Sequence, residues 1–173
     1  SVLTSIGDDS FKYSTNLTNF TIPSTVALIG RSAFEGCEKL SSVIIPKGVS
    51  SIGNSTFKDC TSLTYAYIPN TVTTIVNYAF ANCSKLATIE CRAEEVPQSS
   101  AGIFDGCPSN MIIKVPANSV EAYKAKTPWN NYTIQALPIY GITNFVAEGV
   151  DLYSIKLSWD ALSGASEYMI YRD

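Results

Sequence analysis

Cysteine is the residue type in this sequence whose spacing most directly suggests chemistry. Cys37, Cys60, Cys83 and Cys107 follow one another at steps of 23, 23 and 24 residues, and Cys91 is the fifth cysteine. If each step is one turn of a stacked chain, neighbouring cysteines lie about 4.8 Å apart, which a disulfide allows. Parallel inward side chains and an odd count favour buried free thiols over a disulfide or a tetrahedral zinc site.

Other side chains with catalytic potential are few. The sequence contains no histidine, which excludes Ser-His-Asp and Cys-His nucleophilic mechanisms. Its acidic pairs, Asp8-Asp9 and Glu94-Glu95, are adjacent in sequence, and adjacent side chains on a strand point to opposite faces. We interpret them as solvated turn charges, because they cannot form the facing carboxylates of a glycosidase. We therefore expect no enzyme activity, no catalytic residue, no metal and no cofactor.

Charge and hydropathy exclude two further classes. The net charge is −3 and only 16% of the residues are charged, so no basic surface for nucleic acid is expected. No apolar run approaches the 18 residues or so of a membrane-spanning helix, and we predict no membrane insertion within this chain. The first ten residues lack the basic start and apolar core of a signal peptide. We expect targeting segments to lie elsewhere in a longer protein.

An internal repeat must position these side chains. Several residue types recur at the 23-residue step of the cysteines: the leucine, phenylalanine and isoleucine columns keep register over four coils, and the valine and proline columns over three. A period of 23 residues lies within the range of leucine-rich repeats. The clearest columns are Leu17, Leu40, Leu63 and Leu86; Phe11, Phe34, Phe57 and Phe80; Ile6, Ile29, Ile52 and Ile75; Val26, Val49 and Val72; and Pro23, Pro46 and Pro69.

Each repeat predicts one coil of a solenoid. Val43 and Ile45 stand two residues apart, a period-2 spacing that indicates a short strand with one face inward. Pro46 ends that strand because it cannot donate to the ladder, and Val49 and Ile52 make a second inward contact. One coil cannot bury this face alone, so the coils must stack. Cys91 falls in the inward strand column and is also expected in the core.

The repeat resembles a known family. The pattern L-x-x-I-x-I-P-x-x-V-x-x-I-G-x-x-A-F-x-x-C is similar to the BspA-type leucine-rich repeats of bacterial surface proteins, as segments 30–37 and 78–83 show most clearly. The resemblance covers residues 1–137. It implies a right-handed leucine-rich repeat stack, export to the cell surface or outside the cell, and a role in adhesion and partner binding.

The end of the repeat region predicts a cap. A final strand at 111–116 is followed by Asn118 and Glu121, the spacing of a capping box, and a short helix should run to about Lys126. A solenoid needs its end covered from water, and this tail resembles the C-terminal cap of the same family. Three aromatic residues are large enough for that role: Tyr123, Trp129 and Tyr132.

Residues 138–173 follow a different pattern. Two runs alternate with period 2, at 153–160 and 167–173, with Ser163-Gly164 between them. They resemble the first strands of a fibronectin type III-like domain with Trp159 and Tyr168 in its core. Such a sandwich needs about seven strands, so we predict an incomplete segment. The predicted fold is thus a mainly β solenoid of 23-residue coils over 1–137, with a short capping helix, followed by a partial β-sandwich over 138–173.

The outward positions of the strand row form the candidate site. They alternate with the inward ones, from Asn19 and Thr21 in the first coil to Ile112 and Lys114 in the last, and stacked coils join them into one sheet face. Tyrosine and isoleucine at its middle suggest a binding patch, although both residues also favour exposed strands. The predicted binding residues are Ile44, Tyr65, Tyr67, Thr88 and Glu90.

These features favour a non-catalytic repeat protein at the cell surface or in the extracellular space. We predict adhesion or protein-partner binding through the outward strand face, with host matrix, another cell surface or a glycan as the partner. The alternative is an accessory or spacer module of a larger surface protein, directed to glycans. An open aromatic patch would favour binding, and a featureless polar face would favour the spacer.

Overall fold

The structure, a computed structural model, describes residues 2–138 and the two strands Val146–Gly149 and Ile155–Ser158. The chain forms two compact units, Ser1–Leu137 and Pro138–Asp173, and each is described by itself.

In the first unit the elements are, in chain order, β1 (Ser5–Ile6), β2 (Leu28–Ile29), β3 (Ser42–Ile44), β4 (Ser51–Ile52), β5 (Tyr65–Ile68), β6 (Thr74–Ile75), β7 (Thr88–Cys91), β8 (Gln98–Ser99), β9 (Ile112–Val115), α1 (Val120–Lys124) and β10 (Thr133–Ala136). Short 3-10 helices span Ala101–Phe104, Ala117–Ser119 and Trp129–Asn131.

The largest sheet carries the predicted strand row. Its order is β10-β9-β7-β5-β3, with every strand parallel to its neighbour. Ser42 pairs with Tyr65 and Tyr65 with Thr88, so equivalent residues of successive coils are direct partners. This register is what the repeat predicts. The first coil differs, because Asn19 and Thr21 are exposed but form no strand.

Two-residue strands form a second side of each coil. β1 pairs with β2, and β4, β6 and β8 form a three-stranded sheet, all in parallel. Ile52 pairs directly with Ile75, and both are buried. The isoleucine column is therefore the predicted second inward contact of the coil.

Turns form the third side of each coil, and backbone hydrogen bonds connect them. The backbone amide of Phe34 donates to the Thr56 carbonyl at 2.9 Å, and the amide of Phe57 donates to the Ala79 carbonyl at 2.8 Å. Within the core the same phenylalanines stack, with ring centroids 5.4 Å apart for Phe34 and Phe57 and 5.3 Å for Phe57 and Phe80. Left-handed backbone occurs twice in each of the first four coils on this side, at Asp9, Ser32, Ser55 and Tyr78 and again at Tyr13, Gly36, Asp59 and Asn82, and once in the fifth, at Gly106.

The cysteine column follows the phenylalanine column. Cys60 and Cys83 donate from Sγ to the carbonyl oxygens of Phe34 and Phe57 in the preceding coil, at 3.2 and 3.1 Å. All five cysteines are free, and all but the partly exposed Cys107 are buried. Burial raises the pKa of the Cys107 thiol to about 12, so the column consists of neutral thiols that act as weak donors.

The C-terminal helix forms, but the predicted capping box is wrong. Asn118 lies inside the 3-10 turn and makes no cap, and the helix ends at Lys124 rather than Lys126. Ser119, at the helix N-terminus, donates its hydroxyl to the Glu94 carbonyl at 2.7 Å instead. The helix start is thus held by the 92–97 loop, a long-range contact that local spacing does not reveal.

Aromatic residues of the tail lie over the last coil. Trp129 and Tyr123 are fully buried and meet edge to face at 5.0 Å. Trp129 also meets the Phe104 ring edge-on at 5.4 Å, so it continues the phenylalanine column. Tyr132 is half-buried and donates its hydroxyl to the Phe104 carbonyl at 3.0 Å.

In the second unit, β11 (Val146–Gly149) pairs with β12 (Ile155–Ser158) in antiparallel register. β12 lies within the strand predicted at 153–160. Trp159, Tyr168 and the strand predicted at 167–173 lie outside the described residues. The fibronectin type III-like segment therefore stays a prediction.

Candidate binding face

The strand face consists of the outward side chains of β3, β5, β7, β9 and β10. Strand register arranges them in two rows that cross the coils. The structure brings all five predicted binding residues together on this face. One row is Ile44, Tyr67, Glu90, Lys114 and Gln135, and the other is Ser42, Tyr65, Thr88, Ile112 and Thr133.

The N-terminal half of the strand face is apolar. Ile44 is 64% exposed, which is unusual for an isoleucine in a strand of the core sheet. Tyr65 and Tyr67 are half-buried beside it on the next strand. A shallow groove beside Ile44 is lined by Phe20 and Ser42, among other residues of the first two coils. An apolar surface with tyrosine hydroxyls at its margin is suited to contact with a partner.

A hydrogen-bonded network joins the apolar half to the C-terminal half. The Tyr65 hydroxyl donates to Glu90 Oε2 at 3.2 Å, diagonally across the strands. Burial, together with the Glu90 charge, raises the pKa of Tyr65 to about 12, so this hydroxyl remains a donor at neutral pH. Arg92 Nε donates to Glu90 Oε1 at 2.7 Å. The Glu90 carboxylate is thus neutralised, and its hydrogen bond holds the Tyr65 ring in place.

Arg92 is a site residue that the sequence reasoning missed. It stands in the column occupied by Pro23, Pro46 and Pro69. In those coils proline ends the strand, whereas the Arg92 amide donates to the Ile68 carbonyl at 2.9 Å. The replacement of proline by arginine in one coil was the signal that could have identified it.

Lys114 lies on the other side of Glu90 from Ile44, on the strand next to β10. It is half-buried and lies next to Glu90 in the same row. Among the residues that the structure describes, it forms no ion pair. The nearest carboxylate in register, that of Glu90, is already bonded to Tyr65 and Arg92.

The acidic pairs lie apart from the strand face. Glu94 and Glu95 are exposed in the loop before β8, beside α1. Asp8 is exposed on a turn, as predicted, and its Oδ1 accepts a hydrogen bond from the Arg31 amide at 2.7 Å. Asp9 pairs with Lys12 at 3.5 Å. Within residues 2–138, no three histidine, cysteine or acidic side chains come together as metal ligands would.

Comparison with known proteins identifies the repeat. The family model described as the BspA type leucine-rich repeat region matches six copies over residues 4–133. The chain belongs to the BspA-type leucine-rich repeat family. The family predicted from segments 30–37 and 78–83 is therefore confirmed, and the stacked parallel strands fit the solenoid-like fold of such repeats.

Two solved structures are similar to this BspA-type chain. One is a leucine-rich cell surface protein from Faecalibacterium prausnitzii A2-165, with a TM-score of 0.61 and 31% identity over 66% of the chain. The chain spans 30% of that protein's length. The other is a leucine-rich repeat protein from Bacteroides ovatus ATCC 8483, with a TM-score of 0.33, 14% identity and coverage of 78% of this chain and 52% of that one. No curated protein matches the BspA-type chain.

Proposed function

We propose that this BspA-type chain is part of a protein displayed at the cell surface or exported, and that its strand face binds a protein partner such as host matrix or another cell. The observation that carries the proposal is the exposed Ile44 beside Tyr65 and Tyr67 on a continuous parallel sheet. The similarity to a leucine-rich cell surface protein supports the location. In the described part of the chain, no helix has the length and hydropathy to span a bilayer.

The patch combines exposure with rigidity, which favours binding. Tyrosine is enriched among the few residues that contribute most of the binding free energy at protein interfaces. Because Tyr65 is already held by Glu90, ordering its side chain on binding costs less conformational entropy than for a free tyrosine.

A right-handed coil and a capping role for the Tyr123–Trp129 cluster are part of the proposed repeat architecture.

The proposed role is non-catalytic. The acidic pairs lie on separate turns and the strand face offers one carboxylate, which two donors already occupy. The strand face therefore offers contacts for recognition, and the proposal assigns no reaction to the chain.

The first prediction tests the patch with the double variant Tyr65→Ser/Tyr67→Ser. Binding of the 173-residue chain to immobilised collagen, fibronectin and laminin, and to a glycan array, is measured for both forms. We expect the variant to lose about tenfold or more in affinity for the protein that the natural chain binds, as expected for central tyrosines. Circular dichroism checks that it is folded.

Tyr13→Ser is the matched control, since Tyr13 is 63% exposed on the turn side of the first coil. Equal binding by the double variant and the natural chain would contradict the proposal. Tyrosine-dependent binding to glycans alone would favour the glycan-directed accessory module. Absence of binding to either panel would favour the spacer.

A further inference from the structure

The strand face is divided by charge, and this division limits what its partner can be. The apolar half is formed by Ile44, Tyr65 and Tyr67. The other half presents Arg92 and Lys114 around a single carboxylate, that of Glu90, in a chain whose net charge is −3. The face is therefore locally basic on a protein that is acidic overall.

Lys114 is the cation on this face whose charge is not paired with a carboxylate of the described residues. The Glu90 carboxylate already accepts hydrogen bonds from Tyr65 on one oxygen and from Arg92 on the other. In the part of the chain that is described, no ion pair engages Lys114. A carboxylate brought by a partner would meet an unneutralised ammonium group on a half-buried lysine, where ion pairs are screened less than in open solvent.

The distance between the two halves follows from the register. Ile44, Tyr67, Glu90 and Lys114 are successive members of one row, so Ile44 and Lys114 are three strand spacings apart. At about 4.8 Å per spacing this is about 14 Å. An extended peptide rises about 3.4 Å per residue, and its side chains at i, i+2 and i+4 point the same way. Residues i and i+4 of such a peptide therefore match the separation of Ile44 and Lys114.

We infer that the strand face recognises an extended acidic segment of a protein partner, with an apolar residue four positions from an aspartate or glutamate. The segment lies across the strands, its apolar side chain against Ile44 and Tyr67 and its carboxylate on Lys114. This inference rests on the proposed function, because it names the partner chemistry of that same face.

The test uses short acetylated and amidated peptides as probes of the 173-residue chain. The acidic probes are Leu-Ser-Thr-Ser-Glu and its reverse order, and the neutral and basic probes carry Gln or Lys in place of Glu. Binding is followed by backbone amide shifts in two-dimensional NMR. We expect an acidic probe to shift the amides of Ile44, Tyr67 and Lys114 and to bind about threefold to fivefold more tightly than the neutral probe, the size of a partly exposed ion pair.

Lys114→Gln should abolish that preference for the acidic probe, and raising the salt concentration should reduce it. Lys126→Gln is the matched control, because Lys126 is an exposed lysine beside α1 and the 94–98 loop. Equal binding of all probes, absence of shifts on the face, or a preference that survives Lys114→Gln would overturn the inference.

The two proposals can fail separately. If the tyrosine double variant loses binding to a matrix protein while the probes show no acid preference, the proposed function stands and the inference on charge is overturned. If acidic probes bind through Lys114 and the tyrosine variant keeps its matrix binding, the proposed function through the tyrosines is overturned, and the recognition of an acidic segment by Lys114 stands.

Discussion

At the scale of single residues, Glu35 is the one buried charged side chain among residues 2–138. It is 7% exposed and lies between Lys12 and Lys58, at 3.2 and 3.6 Å, so it connects three successive coils. Burial by itself raises the pKa of Glu35. Hydrogen bonds from Ser32 and Lys12 and the charge of Lys58 lower the pKa by more than burial raises it, so the net shift is downward. A carboxyl whose pKa is lowered by folding stabilises the folded state while it is ionised.

Glu35→Gln should therefore reduce the free energy of unfolding by roughly 1 kcal/mol at pH 7, a moderate figure because both lysines are partly exposed to solvent. The contribution is present above the ordinary carboxyl pKa of 4.5 and is lost as the pH falls through the lower pKa of the folded state. Urea unfolding of both forms at a series of pH values measures the difference. Glu38→Gln, at an exposed neighbouring position, is the control. A loss that stays constant down to pH 2 would contradict the assignment.

At the scale of elements, two tyrosine hydroxyls attach the C-terminal tail to the solenoid in unequal surroundings. Tyr123 OH donates to the Ala93 carbonyl at 2.9 Å and is fully buried beside Cys91. Tyr132 OH donates to the Phe104 carbonyl at 3.0 Å and is half-buried, so water can replace it. Removing a buried donor leaves its acceptor without a partner, which costs more than removing an exposed one.

Tyr123→Phe should reduce the free energy of unfolding by about 1–3 kcal/mol, and Tyr132→Phe by about 0.5 kcal/mol. Both changes keep the ring and its edge-to-face contact, so the difference reports the hydroxyl alone. Thermal and urea unfolding of the two variants provide the comparison. Equal losses would indicate that water reaches the Ala93 carbonyl as well.

The elements also show how far the sequence predicts this fold. The 23-residue columns predict the parallel register of β3, β5 and β7, because the same inward pattern must be buried against itself in each coil. They also predict which residues share the strand face. The Tyr65 hydrogen bond to Glu90 and the return of Arg92 toward that carboxylate depend on side-chain rotamers, which spacing does not specify. The capping box failed for a related reason, since Ser119 finds a carbonyl 25 residues away.

At the scale of the whole first unit, stability should vary along the stack. Leu17 and Leu63 occupy the same column, yet Leu17 is half-buried and Leu63 is fully buried between coils on both sides. Most of the exposed large apolar residues belong to the first two coils: Val2, Leu3, Tyr13, Leu28 and Ile44. In a repeat protein each coil is stabilised mainly by its immediate neighbours, so a coil with fewer contacts should open first.

The same substitution should therefore have different effects at the two positions. Leu63→Ala should lower the free energy of unfolding of the 173-residue chain by about 3–5 kcal/mol, because it leaves a closed cavity, whereas Leu17→Ala should lower it by about 1–2 kcal/mol. Hydrogen exchange should show the matching gradient, with the Ser41 amide, bonded to the first coil at 3.2 Å, exchanging faster than the Thr64 amide, bonded at 2.9 Å to the second. Equal losses with uniform protection would mean that the stack unfolds as one cooperative unit, in which contacts beyond nearest neighbours stabilise the first coil.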